Sequence, residues 1–181
     1  AKCGAPLDLV FVIDESGSIN PAEWALMNQF VTGVINEFEV GPDATHVGIA
    51  YFSGENYSPS QGPADCCGLA ERTLPLESNP ANVLATVNTH LKRGGHTCIN
   101  CGVRAAQTYF PNPNRNVRHR QVMIVISDGY NNRENNYFAR DIAAARAHNG
   151  GIDMFAVGVS NSDLGQLTTI AGGDATRVFK V

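Results

Sequence analysis

Apolar residues fall into four short runs, at 7–13, 46–52, 122–127 and 154–159, and three of these runs are nearly continuous. Runs of this length without alternation are typical of strands buried on both faces of a sheet. The stretch 71–77 also has the pattern of a strand, but Pro75 lies inside it, and proline is tolerated only at a sheet edge. A last short strand is predicted within 176–181. We therefore expect one sheet with four central strands.

Helical patterns separate these runs. The first follows Asn20-Pro21, where apolar residues recur at helical spacing as far as Phe38. Further helices are predicted at 79–91, 98–110, 134–149 and 163–170. Strands that alternate with helices imply right-handed crossovers. The predicted fold class is therefore α/β, with a doubly wound, mostly parallel sheet, one antiparallel edge strand, and helices on both faces.

Length and charge limit the remaining choices. The 181 residues suit a single domain covering 1–181, with the irregular stretch 53–70 as an insertion. The net charge of -4 argues against a nucleic-acid partner, and no apolar run reaches the ~18 residues of a membrane span. One basic run, Arg115 to Arg120, is interpreted as a solvated loop, with heparin-like binding as the alternative. We expect a domain without nucleic-acid binding or membrane insertion.

Oxygen-bearing side chains collect where two of the predicted strands end. Asp14 closes the first strand and Asp128 closes the 122–127 strand, while Ser16, Ser18 and Thr97 lie on loops. Ligands of open α/β sheets bind outside the carboxyl ends of the strands. Two carboxylates and three hydroxyls suit a hard cation, so Mg²⁺ is predicted, with Mn²⁺ or Ca²⁺ as alternatives. None of the five histidines lies in a metal-ligand spacing along the chain.

The stretch "DESGS", residues 14–18, resembles the Asp-x-Ser-x-Ser signature of the von Willebrand factor A domain, the integrin I-domain fold. Thr97 in "GGHT" and Asp128 in "ISDG" lie where that resemblance requires a threonine and an aspartate. The resemblance implies a metal-ion-dependent adhesion site in which Ser16, Ser18 and Thr97 contact the ion and the two aspartates often act through water. It also implies a terminal helix, linked to ligand affinity in I domains, which is absent after "TRVFKV".

The function implied is that of an adhesion module and not of an enzyme. Through its cation the site would bind an exposed carboxylate on a protein ligand, with collagen or another matrix protein as the candidate. Two alternatives stay open. One is a structural matrix domain cross-linked to another chain through Cys3. The other is a Mg²⁺-dependent hydrolase or phosphoryl-transfer enzyme that uses Asp14, although Ser16 replaces a second acid and no lysine follows at the later strand ends.

Five cysteines are numerous for an intracellular chain, and with the resemblance they favour an extracellular setting. They are Cys3, Cys66, Cys67, Cys98 and Cys101. The preferred interpretation pairs Cys66 and Cys67 with Cys98 and Cys101. These bonds would tie the irregular stretch 53–70 to the loop that carries Thr97, called the threonine loop below. The alternatives are a zinc ion held by those four cysteines and a redox Cys-x-x-Cys pair at a helix start.

Overall fold

Six strands form a single sheet in this computed structural model, which describes residues 2–4, 6–54, 73–111, 119–128, 130–132 and 135–181. The strands are β1 (Leu7–Asp14), β2 (His46–Phe52), β3 (Thr73–Glu77), β4 (Arg120–Ser127), β5 (Asp153–Gly158) and β6 (Val178–Lys180). Their order is β3-β2-β1-β4-β5-β6. β3 pairs antiparallel with β2, whereas the other neighbouring pairs are parallel. The predicted fold class, with its antiparallel edge strand, is confirmed.

Five helices connect and cover the strands: α1 (Pro21–Glu37), α2 (Pro80–Thr89), α3 (Ile99–Gln107), α4 (Asn135–Ala147) and α5 (Leu164–Ile170). α1 begins where the sequence predicted. The Asn20 side chain accepts hydrogen bonds from the backbone of Ala22 and Glu23, and Glu23 accepts one from the Asn20 backbone in return. This reciprocal cap fixes the direction in which the chain leaves the loop after β1.

The core lies in two layers, one on each face of the sheet. Leu9, Phe11 and Ile13 of β1 pack toward α1 and α2, while the alternating Val10 and Val12 pack toward α3, α4 and α5. All five of these side chains are buried, so β1 has apolar cover on both sides. This explains why its sequence is a continuous apolar run and not an alternating one.

Helix α3 packs unusually close to the sheet. A Cβ atom at Gly102 would lie 2.7 Å from the ring of Phe52, which is a forbidden contact. The absence of a side chain at this position therefore allows the helix to sit directly against β2. Since α3 begins immediately after Thr97, this contact also sets the position of the threonine loop.

Several sequence predictions fall on residues outside the described ranges. Most of the predicted insertion, 53–70, lies there, as do Arg115 and Arg118 of the basic run. His119, from the same run, is buried, so the interpretation of a solvated loop is wrong for that residue. Within the described ranges, no helix has the length and apolar character needed to cross a membrane.

Candidate metal site at the carboxyl edge of the sheet

Asp14 ends β1 with its side chain fully buried. Its Oδ1 accepts a hydrogen bond from the backbone N–H of Ser16 at 2.8 Å, and its Oδ2 accepts one from the Ser127 hydroxyl at 2.6 Å. Ser127 is the last residue of β4, the neighbour of β1. The carboxylate is therefore fixed between the first loop and the adjacent strand.

The two serines of the first loop converge. Their hydroxyl oxygens are 3.0 Å apart, with Ser16 buried and Ser18 exposed to solvent. One hydroxyl lies beneath the surface and the other at its edge. Together they present oxygen ligands along a path from the protein interior to the solvent.

The threonine loop is held against this first loop by its backbone. Gly17 N–H donates to the carbonyl of Gly95 at 2.8 Å, and Gly94 N–H donates to the carbonyl of Glu15 at 2.9 Å. A Cβ atom at Gly17 would lie only 3.2 Å from the Gly95 carbonyl oxygen. Glycine at this position lets the two loops approach, and the approach brings the loop of buried Thr97 to the serine loop.

Two asparagines from the loop after β4 hold Thr97 and the start of α3. Asn132 and Thr97 form two hydrogen bonds with each other. The Thr97 N–H donates to Asn132 Oδ1, and the Asn132 N–H donates to the Thr97 carbonyl, both at 3.0 Å. The buried Asn131 side chain accepts from the Ile99 N–H at 2.6 Å. These residues were missed in the sequence because their partners lie more than 30 positions away, and no local motif marks them.

A buried pair supports the first loop from beneath. Glu15 is fully buried, and its carboxylate lies 3.0 Å from the Nε2 atom of His90 and accepts the backbone N–H of Arg93 at 3.2 Å. The His90 ring stacks on Tyr51 with the centroids 3.6 Å apart. Glu15, which the Asp-x-Ser-x-Ser signature leaves unspecified, thus anchors the loop that carries the two serines. The sequence did not reveal this role.

The electrostatics of the site suit a cation. Burial raises the pKa of Asp14 to about 6, the hydrogen bonds from Ser127 and Ser16 oppose that rise, and the nearby Asp128 carboxylate adds to it. Two carboxylates close enough to repel each other, beside hydroxyl oxygens, favour a bound positive charge. The donors are all oxygen atoms, which fit a hard divalent ion such as Mg²⁺.

The cysteine prediction needs correction. Cys98 and Cys101 are bonded to each other, with their Cα atoms 5.2 Å apart. The preferred pairing with Cys66 and Cys67 is therefore wrong, and so is the zinc site of four cysteines. The physical reason is helical geometry, because residues three apart on a helix turn lie on the same side. Cys66 and Cys67 lie outside the described residues, and Cys3 is an exposed free thiol.

Comparison with known proteins gives a family and a set of relatives. The model of the von Willebrand factor type A domain matches residues 8–181. Matrilin-4 of Mus musculus is 32% identical over 171 residues, covering 92% of this chain and 25% of the relative. The collagen alpha-6(VI) chain of Mus musculus is 30% identical over 167 residues, covering 91% of this chain and 7% of the relative. The chain thus spans a quarter or less of these two proteins.

Solved structures agree with the fold. Proximal thread matrix protein 1 from the mussel byssus, in a structure with a zinc-occupied MIDAS motif, superposes with a TM-score of 0.74 at 22% identity. The match covers 99% of this chain and 42% of that one. At this level of identity the likeness extends to the arrangement of strands and helices.

Proposed function

The chain belongs to the von Willebrand factor type A domain family, and from this premise we propose that it is a matrix-binding module whose carboxyl-edge site holds a divalent cation. The observation that carries the proposal is the fully buried Asp14 carboxylate beside Asp128, next to converging serine hydroxyls. A buried carboxylate with a second negative charge nearby is costly unless a cation compensates it. The cation would leave a position for an acidic group of a protein ligand.

The residues divide into two roles in this proposal. Ser16, Ser18 and Thr97 would contact the ion through their hydroxyl oxygens. Asp14 and Asp128 would supply charge, with water between carboxylate and ion. The two hydrogen bonds that Asp14 already accepts, from Ser16 N–H and the Ser127 hydroxyl, support an outer position for its carboxylate.

Mg²⁺ is the proposed ion, with Mn²⁺ or Ca²⁺ as alternatives. Mg²⁺ keeps several waters in its octahedral shell, and a bound water can be exchanged for a ligand carboxylate. When bound, the ion supplies the positive charge that attracts and orients that carboxylate. The chain's own part is to hold the hydroxyls in place and to neutralise the charge of the ion.

The proposed setting is extracellular, since the relatives are matrilins and collagen chains. These relatives are matrix proteins and not enzymes, and we propose no catalytic role for this chain. Collagen or another matrix protein with an exposed carboxylate is the proposed partner. The specific ligand is set by the shape of the loops around the ion.

The direct test is calorimetric titration of the EDTA-stripped domain with Mg²⁺ and Mn²⁺. We expect one ion per chain for the parent and loss of binding in Asp14→Ala and Thr97→Ala. Asp43→Ala and Thr108→Ala change the same residue types at exposed positions, the second at the far end of α3 from Thr97, and serve as matched controls. A parent domain that binds neither ion would overturn the proposal.

Ligand binding is tested separately, on immobilised collagen with and without Mg²⁺. We expect the parent to bind only in the presence of the ion and soluble acetate to compete weakly, because acetate offers the same carboxylate without loop contacts. Binding that persists in EDTA would argue against a cation-mediated contact, whatever the result of the ion titration.

Cys3 supports a second proposal, that the domain is cross-linked to another chain. Its thiol is exposed on the segment before β1, and its backbone bridges to Phe38 and Glu39 after α1. The expected result is a disulfide-linked dimer on a non-reducing gel after mild oxidation, absent in Cys3→Ser. Oxidised material that stays monomeric would exclude this form of cross-linking.

A further inference from the structure

A second group of ligating side chains lies at the opposite edge of the sheet, where the strands begin. Asp8 of β1, His46 of β2 and His119 just before β4 place one ligand atom each within 4.8 Å of the others. Asp8 is fully buried, and each histidine is 6% exposed. The group is separate from the carboxyl-edge site, since Asp8 and Asp14 lie at opposite ends of β1.

Sheet register explains why these residues meet. Asp8 is the direct partner of His46 on one side and of Gln121 on the other. Neighbouring residues across a ladder project from the same face. His119 reaches the same carboxylate from the residue that precedes β4. The cluster is therefore built by the pairing of three strands, and not by any spacing along the chain.

The distances between the ligand atoms are compatible with a metal site. The Nδ1 atoms of His46 and His119 each lie 3.4 Å from Asp8 Oδ1, and the His119 contact also has hydrogen-bond geometry. Both contacts are longer than the usual hydrogen bond to a carboxylate. They match the distance of about 3.4 Å expected between two ligands of a tetrahedral zinc ion with bonds of about 2.1 Å, and all three ligand atoms lie within 4.8 Å of one another.

The second ring nitrogen of His46 has a partner that suits a metal ligand. Its Nε2 atom lies 3.0 Å from the carbonyl oxygen of Pro42, and a carbonyl oxygen only accepts, so Nε2 carries a proton. In the neutral ring, Nδ1 would then offer its lone pair to a metal beside Asp8 Oδ1. A metal-bound histidine has this arrangement, with its second nitrogen bonded to a backbone carbonyl.

Two buried polar groups beside the cluster find no hydrogen-bond partner among the residues that the structure describes. They are Asp8 Oδ2 and both polar atoms of the Gln121 amide. Gln121 is 3% exposed, so solvent does not compensate them. Unpaired buried polar atoms are rare in folded proteins, and their presence points to a bound ion or water. A ligand at this position would satisfy them.

We propose that Asp8, His46 and His119 bind a zinc-class transition metal at the amino edge of the sheet, in addition to the cation at the carboxyl edge. Two imidazole nitrogens and one carboxylate oxygen form a donor set typical of Zn²⁺ and unsuited to Mg²⁺. Water or the Gln121 amide oxygen would fill the fourth position. The metal would join β1, β2 and the start of β4.

The test uses the whole domain with its free thiols alkylated, so that cysteines do not contribute ligands. Asp14→Ala is used to remove the carboxyl-edge site, because the corresponding motif of a similar fold holds zinc. Zn²⁺ is then titrated into this variant by calorimetry, and Co²⁺ serves as a spectroscopic probe. We expect one Zn²⁺ per chain in Asp14→Ala and the visible absorption of tetrahedral Co²⁺.

Variants in the Asp14→Ala background identify the ligands. His119→Gln, His46→Gln and Asp8→Asn each remove a direct ligand and should weaken Zn²⁺ binding at least as much as the loss of an outer-shell partner, which costs roughly 10- to 100-fold. His148→Gln, a histidine outside the cluster, is the matched control and should leave it unchanged. Circular dichroism identifies any variant that fails to fold, and the three substitutions provide independent readings.

Two results would overturn the proposal. One is the absence of Zn²⁺ binding in a folded Asp14→Ala domain, and the other is binding that none of the three substitutions weakens. A nuclear magnetic resonance measurement of His46 with both ring nitrogens protonated in the presence of Zn²⁺ would also overturn it. In that case a charged histidine, and not a metal, would compensate Asp8.

Discussion

β1 carries a fully buried aspartate at each end, and the two differ in what surrounds them. Asp14, at the carboxyl end, accepts hydrogen bonds on both oxygens and lies among hydroxyls and a second carboxylate. Asp8, at the amino end, faces two imidazoles and has one oxygen without a described partner. The same residue type thus lies among oxygen ligands at one end of β1 and beside imidazole nitrogens at the other. These neighbouring side chains determine which cation each end suits.

The largest expected effect is that of Asp14→Asn on the metal-free domain. The amide keeps an acceptor for Ser16 N–H and removes the buried charge. Because burial raises the pKa of Asp14 from 3.8 to about 6, its ionised form costs the metal-free fold about 3 kcal/mol at pH 7. We expect the variant to be more stable than the parent by an amount of that order in EDTA, while Mg²⁺ binding is lost.

The pH dependence gives the sign of this effect. A raised folded-state pKa means that the folded domain binds the proton more tightly, so the parent gains stability from this group as the pH falls through about 6. The advantage of Asp14→Asn should therefore be full above pH 6 and absent below about 3.8. Urea unfolding in EDTA at several pH values measures it. A constant difference between the two proteins across that range would contradict the assignment.

A smaller effect is expected from Asn131→Ala. This substitution changes no charge, and it should disturb the site at the carboxyl edge of the sheet without affecting the site at the amino edge. The substitution leaves the buried N–H of Ile99 without its acceptor, at a cost of about 1–3 kcal/mol. Thr97 should then be held less firmly, and Mg²⁺ affinity should fall while Zn²⁺ affinity stays unchanged. Chemical denaturation and the two titrations measure these quantities.

Asn132→Ala provides a comparison for that variant, because Asn132 also holds Thr97. Its side chain accepts from the Thr97 N–H in a part-buried bond, and Asn132 itself is exposed, so water can reach its side of the bond. Its unfolding free energy should change less than that of Asn131→Ala. Equal losses of Mg²⁺ and Zn²⁺ affinity in Asn131→Ala would show a general loss of structure and not a local one.

The smallest effect is expected from Tyr51→Phe. The Tyr51 hydroxyl is buried and has no hydrogen-bond partner among the described residues, and burial with the Glu15 charge raises the pKa of Tyr51. Removing an unpaired hydroxyl should change the unfolding free energy by no more than about 0.5 kcal/mol, since the stack on His90 remains. His90→Ala, which also removes the contact with Glu15, should cost more in the same thermal unfolding experiment.

The sequence predicted the frame of the molecule because burial on both faces leaves a direct pattern. The apolar runs located β1, β2, β4 and β5, and Pro75 located the edge strand β3. The same logic brought Asp14 and Asp128 to one edge. The contacts that the sequence did not predict are those between residues on adjacent strands. The pairing of Asp8 with His46 follows from strand register, which a single sequence does not contain.

The cysteine and asparagine interactions were hidden for related reasons. Four cysteines allowed several pairings, and only the conformation at the start of α3 selects the bond between Cys98 and Cys101. Asn131 and Asn132 follow β4, and their partners Thr97 and Ile99 lie just before and at the start of α3, so these contacts exist only in the folded chain. Their residue type is common in loops, so nothing in the sequence distinguishes them from ordinary turn residues.

The central position of β1 has a mechanical consequence for a domain that holds on to a ligand. β1 is bonded along its length to β2 on one side and β4 on the other, and both ladders run parallel to it. A force applied between a ligand at the carboxyl edge and the segment before Leu7 would act along the axis of β1. Both ladders would then be loaded in shear, and many hydrogen bonds would have to break at the same time. Traction in this direction should meet far more resistance than peeling from β6, which an optical-tweezers measurement along the two directions would compare.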